Sequence, residues 1–176
     1  MIPETQRKLD EALFFFKLLY SRAEGPASNE EEFGYCLSAF LSAARSVTFV
    51  LQTEEKAHYD TWYPSWETRL AEADRQLWEF MNDQRVAEVH QDGADVDTTV
   101  EWRPVRQLLG MQGRALARSI SITPPGSPPV KEGVPIHRFR IGDSVVDVRD
   151  ACATYLNLLT ALVREFIVAH TTAARP

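Results

Sequence analysis

At 176 residues the chain is long enough for one well-buried core and too short for two ordinary domains. Hydrophobic residues make up 44% and charged residues 25%, with a formal net charge of −6, the composition of a globular protein. No apolar run approaches the ~18–20 residues of a membrane span, so a membrane is excluded as a partner and the cytoplasm is the expected compartment.

The first predicted helix begins at Pro3, which suits a first helical turn, and places Leu9, Leu13, Phe16 and Tyr20 on one face before Gly25-Pro26 ends it. Within it Phe14-Phe15-Phe16 is broken by Lys17 and is followed by no small-residue cleavage site, so no signal peptide is expected. A second helix starts after Ser28 or Asn29, with Glu30, Glu31 and Glu32 favouring the positive end of the helix dipole. Its apolar stripe is Phe33, Leu37, Phe40/Leu41, Ala44, Val47/Thr48 and Leu51. Ser38, Ala39, Ser42, Ala43 and Ser46 fill much of its remaining surface and would let another helix approach closely, with Arg45 among them.

A third helix is expected after Pro64, with Ser65 as N-cap, carrying Trp66, Leu70, Ala73, Leu77, Phe80/Met81 and Gln84 until Gly93 stops it. The next fifty or so residues are punctuated by Gly110, Gly113, Pro124-Pro125-Gly126, Pro128-Pro129 and Gly133. Within them Arg118–Ile122 and Ile136–Ile141 alternate with period two and are expected to pair as a hairpin. A fourth helix opens at Asp147, a plausible N-cap, and repeats Val148, Cys152, Tyr155/Leu156, Leu159, Leu162/Val163 and Phe166 to end near His170.

Four amphipathic segments imply an all-α fold, an antiparallel four-helix up-and-down bundle with a small β-hairpin insert between helices three and four. The expected organisation is a single domain over 1–176, with 94–146 as a basic, Pro/Gly-rich insert. Cys36 and Cys152 fall on apolar stripes without CxxC spacing and read as buried free thiols in a reducing compartment. From Trp102 to Gly142 there are seven basic residues and one acid, so this window carries +6 and the remainder −12. Such a window either meets a polyanion or docks on the acidic body.

Candidate chemistry centres on Arg85 and His90, five residues apart at the end of the third predicted helix. Metal-free RNA cleavage needs a group that titrates near neutrality and a fixed cation for phosphate charge. His90 would take the proton from a ribose 2′-hydroxyl, and Arg85 would hold the charged oxygens of the phosphorane. Helix geometry sets a condition: the two positions lie about 140° apart around one axis. They converge only if the helix ends near His90 or if two copies share a cleft about a twofold axis. A structural explanation stands beside this one, with Arg85 paired to Glu88 and His90 favoured by the helix C-terminus.

Arg45, Arg138 and Arg140 are weaker RNA-binding candidates. His137-Arg138-Phe139-Arg140 mixes basic and aromatic residues, yet its alternation equally fits a strand with Arg outward. Trp62, Tyr63 and Trp66 near Pro64 fit either a recognition patch or a staple on the helix start. His58, His137 and His170 show no zinc-site spacing, so no metal is expected, and no phosphate loop, nucleophile motif or dinucleotide fingerprint suggests a cofactor.

Arg85-x4-His90, the preceding Phe80-Met81-Asn82-Asp83-Gln84 and the run Phe40-Leu41-Ser42-Ala43-Ala44-Arg45-Ser46 carry a resemblance. On these residues, and on the bundle order, the chain resembles the HEPN superfamily over residues 5–93 and 147–170. The resemblance implies a helical homodimer, here through helices two and three, and a metal-independent endoribonuclease of the toxin–antitoxin or defence kind. Arg85 and His90 would then line the dimer cleft. Val86 and Asp92 depart from the pattern of active members, which more often carry Asn, Asp or His after the arginine and Tyr two places after the histidine. The resulting expectation is an RNA-associated homodimer, with a cognate antitoxin or regulatory protein as a further partner. The alternative is a catalytically inactive helical module that binds a protein.

Overall fold

The computed structural model describes residues 2–22, 30–90, 96–104 and 131–171, and leaves the side chains of 85–90, 103, 104, 132 and 171 outside that description. The described residues form α1 (Pro3–Arg22), α2 (Glu30–Glu54), α3 (Lys56–Glu67), α4 (Glu72–His90), β1 (Asp97–Pro104), β2 (Lys131–Ile141), β3 (Ser144–Asp147) and α5 (Val148–Thr171). Five helices with a three-stranded antiparallel sheet make a mixed α/β fold, which overturns the expected all-α four-helix bundle.

α2 and α5 form the core as their stripes predict. Phe40, Ala44, Val47 and Leu51 of α2 and Val148, Cys152, Leu159 and Leu162 of α5 are all fully buried. Each buried Leu, Val or Phe contributes about 1.5–3 kcal/mol relative to exposure. Both helices also contain windows long and apolar enough, by composition, to cross a membrane. The expectation that no segment qualifies is corrected on that point. Ser, Thr and charges such as Arg45 of α2 interrupt the two helices, so their average is high without an unbroken apolar run.

α1 packs along α2, but through Thr5, Leu9, Ala12 and Leu19. Leu13 and Tyr20, expected on the core face, are 37% and 47% exposed. The second half of α1 is apolar on nearly every side, so periodicity does not select the buried face. Its first turn is tied down from elsewhere: Glu54 at the end of α2 accepts hydrogen bonds from the Glu4 and Thr5 backbone N–H groups (3.0 and 2.9 Å) and from the Thr5 hydroxyl (2.6 Å). These are the donors that a helix N-terminus leaves without intrahelical partners.

The expected third helix is two helices. Pro64, read as a breaker ahead of an N-cap at Ser65, lies inside α3, and the Ser65 hydroxyl donates to the Trp62 carbonyl instead. The break falls between Glu67 and Glu72. A proline in a helix removes one backbone donor, and tertiary packing can hold the flanking turns. Here Tyr59 and Trp66, on either side of it, are both buried.

The sheet has the order β1-β2-β3. β2 contains the predicted 136–141 stretch, but it pairs with β1 (Asp97↔Arg138 to Pro104↔Lys131) and β3 (Arg138↔Asp147 to Ile141↔Ser144). The proposed partner 118–122 lies outside the described residues. β2 and β3 are joined by Gly142-Asp143, with Gly142 at φ +57°, the positive value demanded at the first turn position of a tight hairpin. This sheet is not mere decoration. Phe139 is fully buried, edge-on to Phe80 of α4 at 5.1 Å, and Asp147 caps α5 by accepting the Arg149 N–H at 2.8 Å. Of the two free thiols, Cys152 is fully buried and Cys36 is partly exposed.

Candidate functional site

Arg45, Thr48, Phe49 and Gln52 recur at helical spacing and so share one face of α2, which meets its buried stripe at Thr48. Opposite them stand Tyr59, Asp60, Tyr63 and Pro64 of α3, with Trp78 and Asn82 of α4. Together they enclose a cleft of about 440 Å3.

Its floor is a hydrogen-bonded aromatic cluster. Trp78, only 1% exposed, donates its indole N–H to the Tyr63 hydroxyl at 2.9 Å, and Tyr63 donates in turn to Glu67 at 2.9 Å. Tyr59 stacks on Tyr63 with ring centroids 4.9 Å apart, and the Tyr155 hydroxyl of α5 donates to the Asn82 side-chain carbonyl at 3.4 Å. Burial pushes the hydroxyls of Tyr59, Tyr63 and Tyr155 well above the usual tyrosine range, against the opposing pull of the nearby Arg45 cation. They remain neutral near pH 7, and so act as neutral hydrogen-bonding groups.

Arg45 is the cation of the cleft. Its guanidinium donates to the Thr48 hydroxyl at 2.6 Å, which itself donates to the Arg45 carbonyl at 3.1 Å. Among the described residues no carboxylate forms an ion pair with Arg45. Phe49, one turn on, is 65% exposed at the cleft mouth. At the far end Asp60 accepts from Gln52 at 2.8 Å and from Lys56 at 2.5 Å, and these two bonds hold its carboxyl below the usual carboxylate range. An arginine fork free of carboxylates, beside an open aromatic ring, is equipped to bind an anion that carries a planar group.

Among the described residues, Arg45 is the one cation named from sequence that lines this cleft. Arg138 and Arg140 lie on β2, where His137 and Phe139 are buried while Arg140 is exposed and Arg138 reaches the Thr99 hydroxyl at 3.4 Å. This alternation matches the reading of the stretch as a strand with Arg outward, and it places His137 and Phe139 on the face away from Arg140. α4 runs unbroken from Trp78 and Asn82 past Arg85 to its last residue, His90. The side chains of Arg85 and His90 lie outside the described residues. Ala43, expected on a face between subunits, is 4% exposed and packed within the chain.

Sequence reasoning missed Phe49, Tyr59, Asp60, Trp78 and Asn82 as site residues. One signal was present: Phe49 is a large aromatic lying off the α2 stripe, one turn from Arg45. The Tyr63 aromatic patch was noticed, but without α3 as a separate helix it had no cleft to line.

A family described as bacteriophage lambda protein ea47 matches residues 3–113. The matched stretch runs from α1 through β1 and includes every described residue lining the cleft, as well as Arg85 and His90. No curated protein and no solved structure matches. The match overturns the HEPN resemblance. An Arg-x4-His spacing and a run of small residues both arise readily on amphipathic helices, so neither distinguishes one helical family from another.

Proposed function

The chain belongs to the family of bacteriophage lambda protein ea47, and we propose that it is an RNA-associated protein that holds single-stranded RNA in the Arg45 cleft. One observation carries this reading. Arg45, without a carboxylate partner among the described residues, stands one helical turn from the open ring of Phe49 at the mouth of the cleft. Single-stranded nucleic acid offers the matching pair: a phosphate for the guanidinium and an unstacked base for the ring. Base-to-aromatic stacking is worth about 1–3 kcal/mol, and a hydrogen bond to a charged group about 1.5–3 kcal/mol.

The catalytic form of the reading assigns proton transfer from the 2′-hydroxyl to His90 and phosphorane charge to Arg85, on the helix that forms the cleft wall. Because the two positions lie about 140° apart on α4, it calls either for the imidazole to turn back where the helix ends at His90 or for two copies to complement each other.

The test is fluorescence anisotropy of a labelled single-stranded RNA with wild type and Arg45→Ala, followed by incubation in EDTA beside Arg85→Ala and His90→Ala. Binding weakened at least tenfold by Arg45→Ala supports the reading, and equal binding by both proteins sinks it. Cleavage that either α4 variant abolishes supports the catalytic form, and its absence in wild type removes that form alone. A second reading, a protein-binding module, is favoured by Val100 and Trp102 of β1, which are 58% and 65% exposed. It predicts no RNA affinity beyond weak, salt-sensitive attraction.

A further inference from the structure

We infer that the Arg45 cleft is a slot for one unpaired nucleotide whose base carries an exocyclic amino group, accepted by Asp60, so that uracil is disfavoured. This rests on the RNA reading above and adds to it the class of base.

The cleft is polarised along α2. Arg45 and Gln52 are seven residues apart, or about 10 Å along the helix axis, and Phe49 lies between them. Asp60 is bonded to Gln52 at 2.8 Å, which places the carboxylate at the Gln52 end. One end therefore carries a cation and the other an anion, with an open aromatic ring between. A phosphate is attracted to the first, whereas at the second the cation Lys56 is already paired with Asp60. RNA can enter in only one sense: phosphate on Arg45, base over Phe49, and the far edge of the base towards Asp60. A span of about 10 Å suits one nucleotide from phosphate to base edge, not a stacked run. The volume, about 440 Å3, likewise lies in the range of pockets that take a single small ligand.

The chemistry at the far end then chooses the base. An ionised carboxylate only accepts hydrogen bonds, and its two oxygens offer about four lone-pair sites. Lys56 and Gln52 use one on each oxygen, which leaves room for a donor from a ligand, and the Gln52 bond holds the group at the end of the cleft. Cytosine, adenine and guanine present amino donors there. Uracil presents two carbonyl oxygens flanking a single N–H, and those oxygens face the carboxylate with like partial charge. A carboxylate accepting from the cytosine amino group is an established form of base readout.

The experiment measures anisotropy of fluorescein-labelled oligocytidylate and oligouridylate of equal length, at one salt concentration. The proteins are the full chain, Asp60→Ala and Lys56→Ala. Lys56 does not line the cleft, and its loss leaves the carboxylate in place, so it controls for mere disruption of the rim ion pair. The expected result is cytidylate bound roughly tenfold more tightly than uridylate by wild type and Lys56→Ala, with the difference abolished in Asp60→Ala. Equal binding of both oligomers by wild type, or a preference that survives Asp60→Ala, overturns the inference and leaves the RNA reading standing. Loss of the preference in Lys56→Ala also overturns it. If neither oligomer binds, the RNA reading and this inference fall together.

Discussion

The imidazole of His137 lies flat against the ring of Phe33, with centroids 3.7 Å apart and planes 12° from parallel. This contact joins the central strand β2 to the first turn of α2. The Thr98 hydroxyl of β1 lies 3.0 Å from His137 Nδ1, while Nε2 is buried with no hydrogen-bond partner among the described residues. Burial lowers the His137 pKa below the usual histidine value of 6.5, and Arg149 adds to this, whereas Glu30 and Asp147 oppose it.

A pH dependence follows from that contact. The unfolded chain binds a proton at His137 more readily than the folded chain does. Stability is therefore complete above about pH 6.5 and is lost as the pH falls from there towards the lowered folded value. Thermal melts between about pH 7.5 and about pH 5.5 should show a falling Tm for wild type and a shallower fall for His137→Phe. Parallel profiles would mean that His137 does not carry the effect.

Glu54 holds the start of α1 and should matter out of proportion to its place at the end of α2. Burial raises its pKa, but the hydrogen bonds from Thr5 and Glu4 outweigh that and leave it below the usual value of 4.5. Its contribution is present above that value and disappears as the pH falls through the lowered one. Urea denaturation of Glu54→Ala near neutrality should show a loss of about 1.5–3 kcal/mol. The difference from wild type should shrink at about pH 3.

Trp78 separates packing from hydrogen bonding. Its ring meets Trp66 and Tyr155 edge-on, each with centroids 5.2 Å apart. Trp78→Ala should cost about 3–5 kcal/mol through the cavity it leaves. Trp78→Phe keeps an aromatic ring and loses the bond to Tyr63, so part of its cost, about 1 kcal/mol, is that bond. Chemical denaturation of both variants ranks them, and a Phe variant as damaged as the Ala variant would contradict the packing account.

Phe49→Ala should divide stability from binding. With the ring 65% exposed, its removal should change the unfolding free energy by less than about 0.5 kcal/mol. The same variant should weaken single-stranded RNA binding by about 1–3 kcal/mol, read by anisotropy. A large fall in Tm would mean that the ring is structural.

The helical parts of the fold were legible to the degree that one face was distinguishable from the rest. α2 and α5 each carry a single apolar stripe at helical spacing, and both were read correctly in extent and in buried face. For α1 the expected face is buried in part, at Leu9 and Phe16 and not at Leu13 and Tyr20, because Phe14-Phe15-Phe16 and Leu18-Leu19-Tyr20 surround the helix with apolar groups. The break between α3 and α4 was misplaced at Pro64, whose local meaning as a breaker gave way to burial of Tyr59 and Trp66 around it. β1 was not read at all, since its partner Lys131–Ile141 is distant in sequence and alternation over Asp97–Pro104 is visible only once pairing is known.

For the site, residue chemistry alone marked Arg45 as a cation among small residues and Arg85-x4-His90 as a pair able to serve phosphate chemistry. What no spacing along the chain contained is the meeting of Arg45, Phe49 and Gln52 with Tyr63, Asp60 and Asn82 from two further helices. Local sequence determines which face of a helix is apolar, because that depends on neighbours three and four positions away. Which helices face one another depends on how all the apolar faces are buried at once, and only the folded chain decides that.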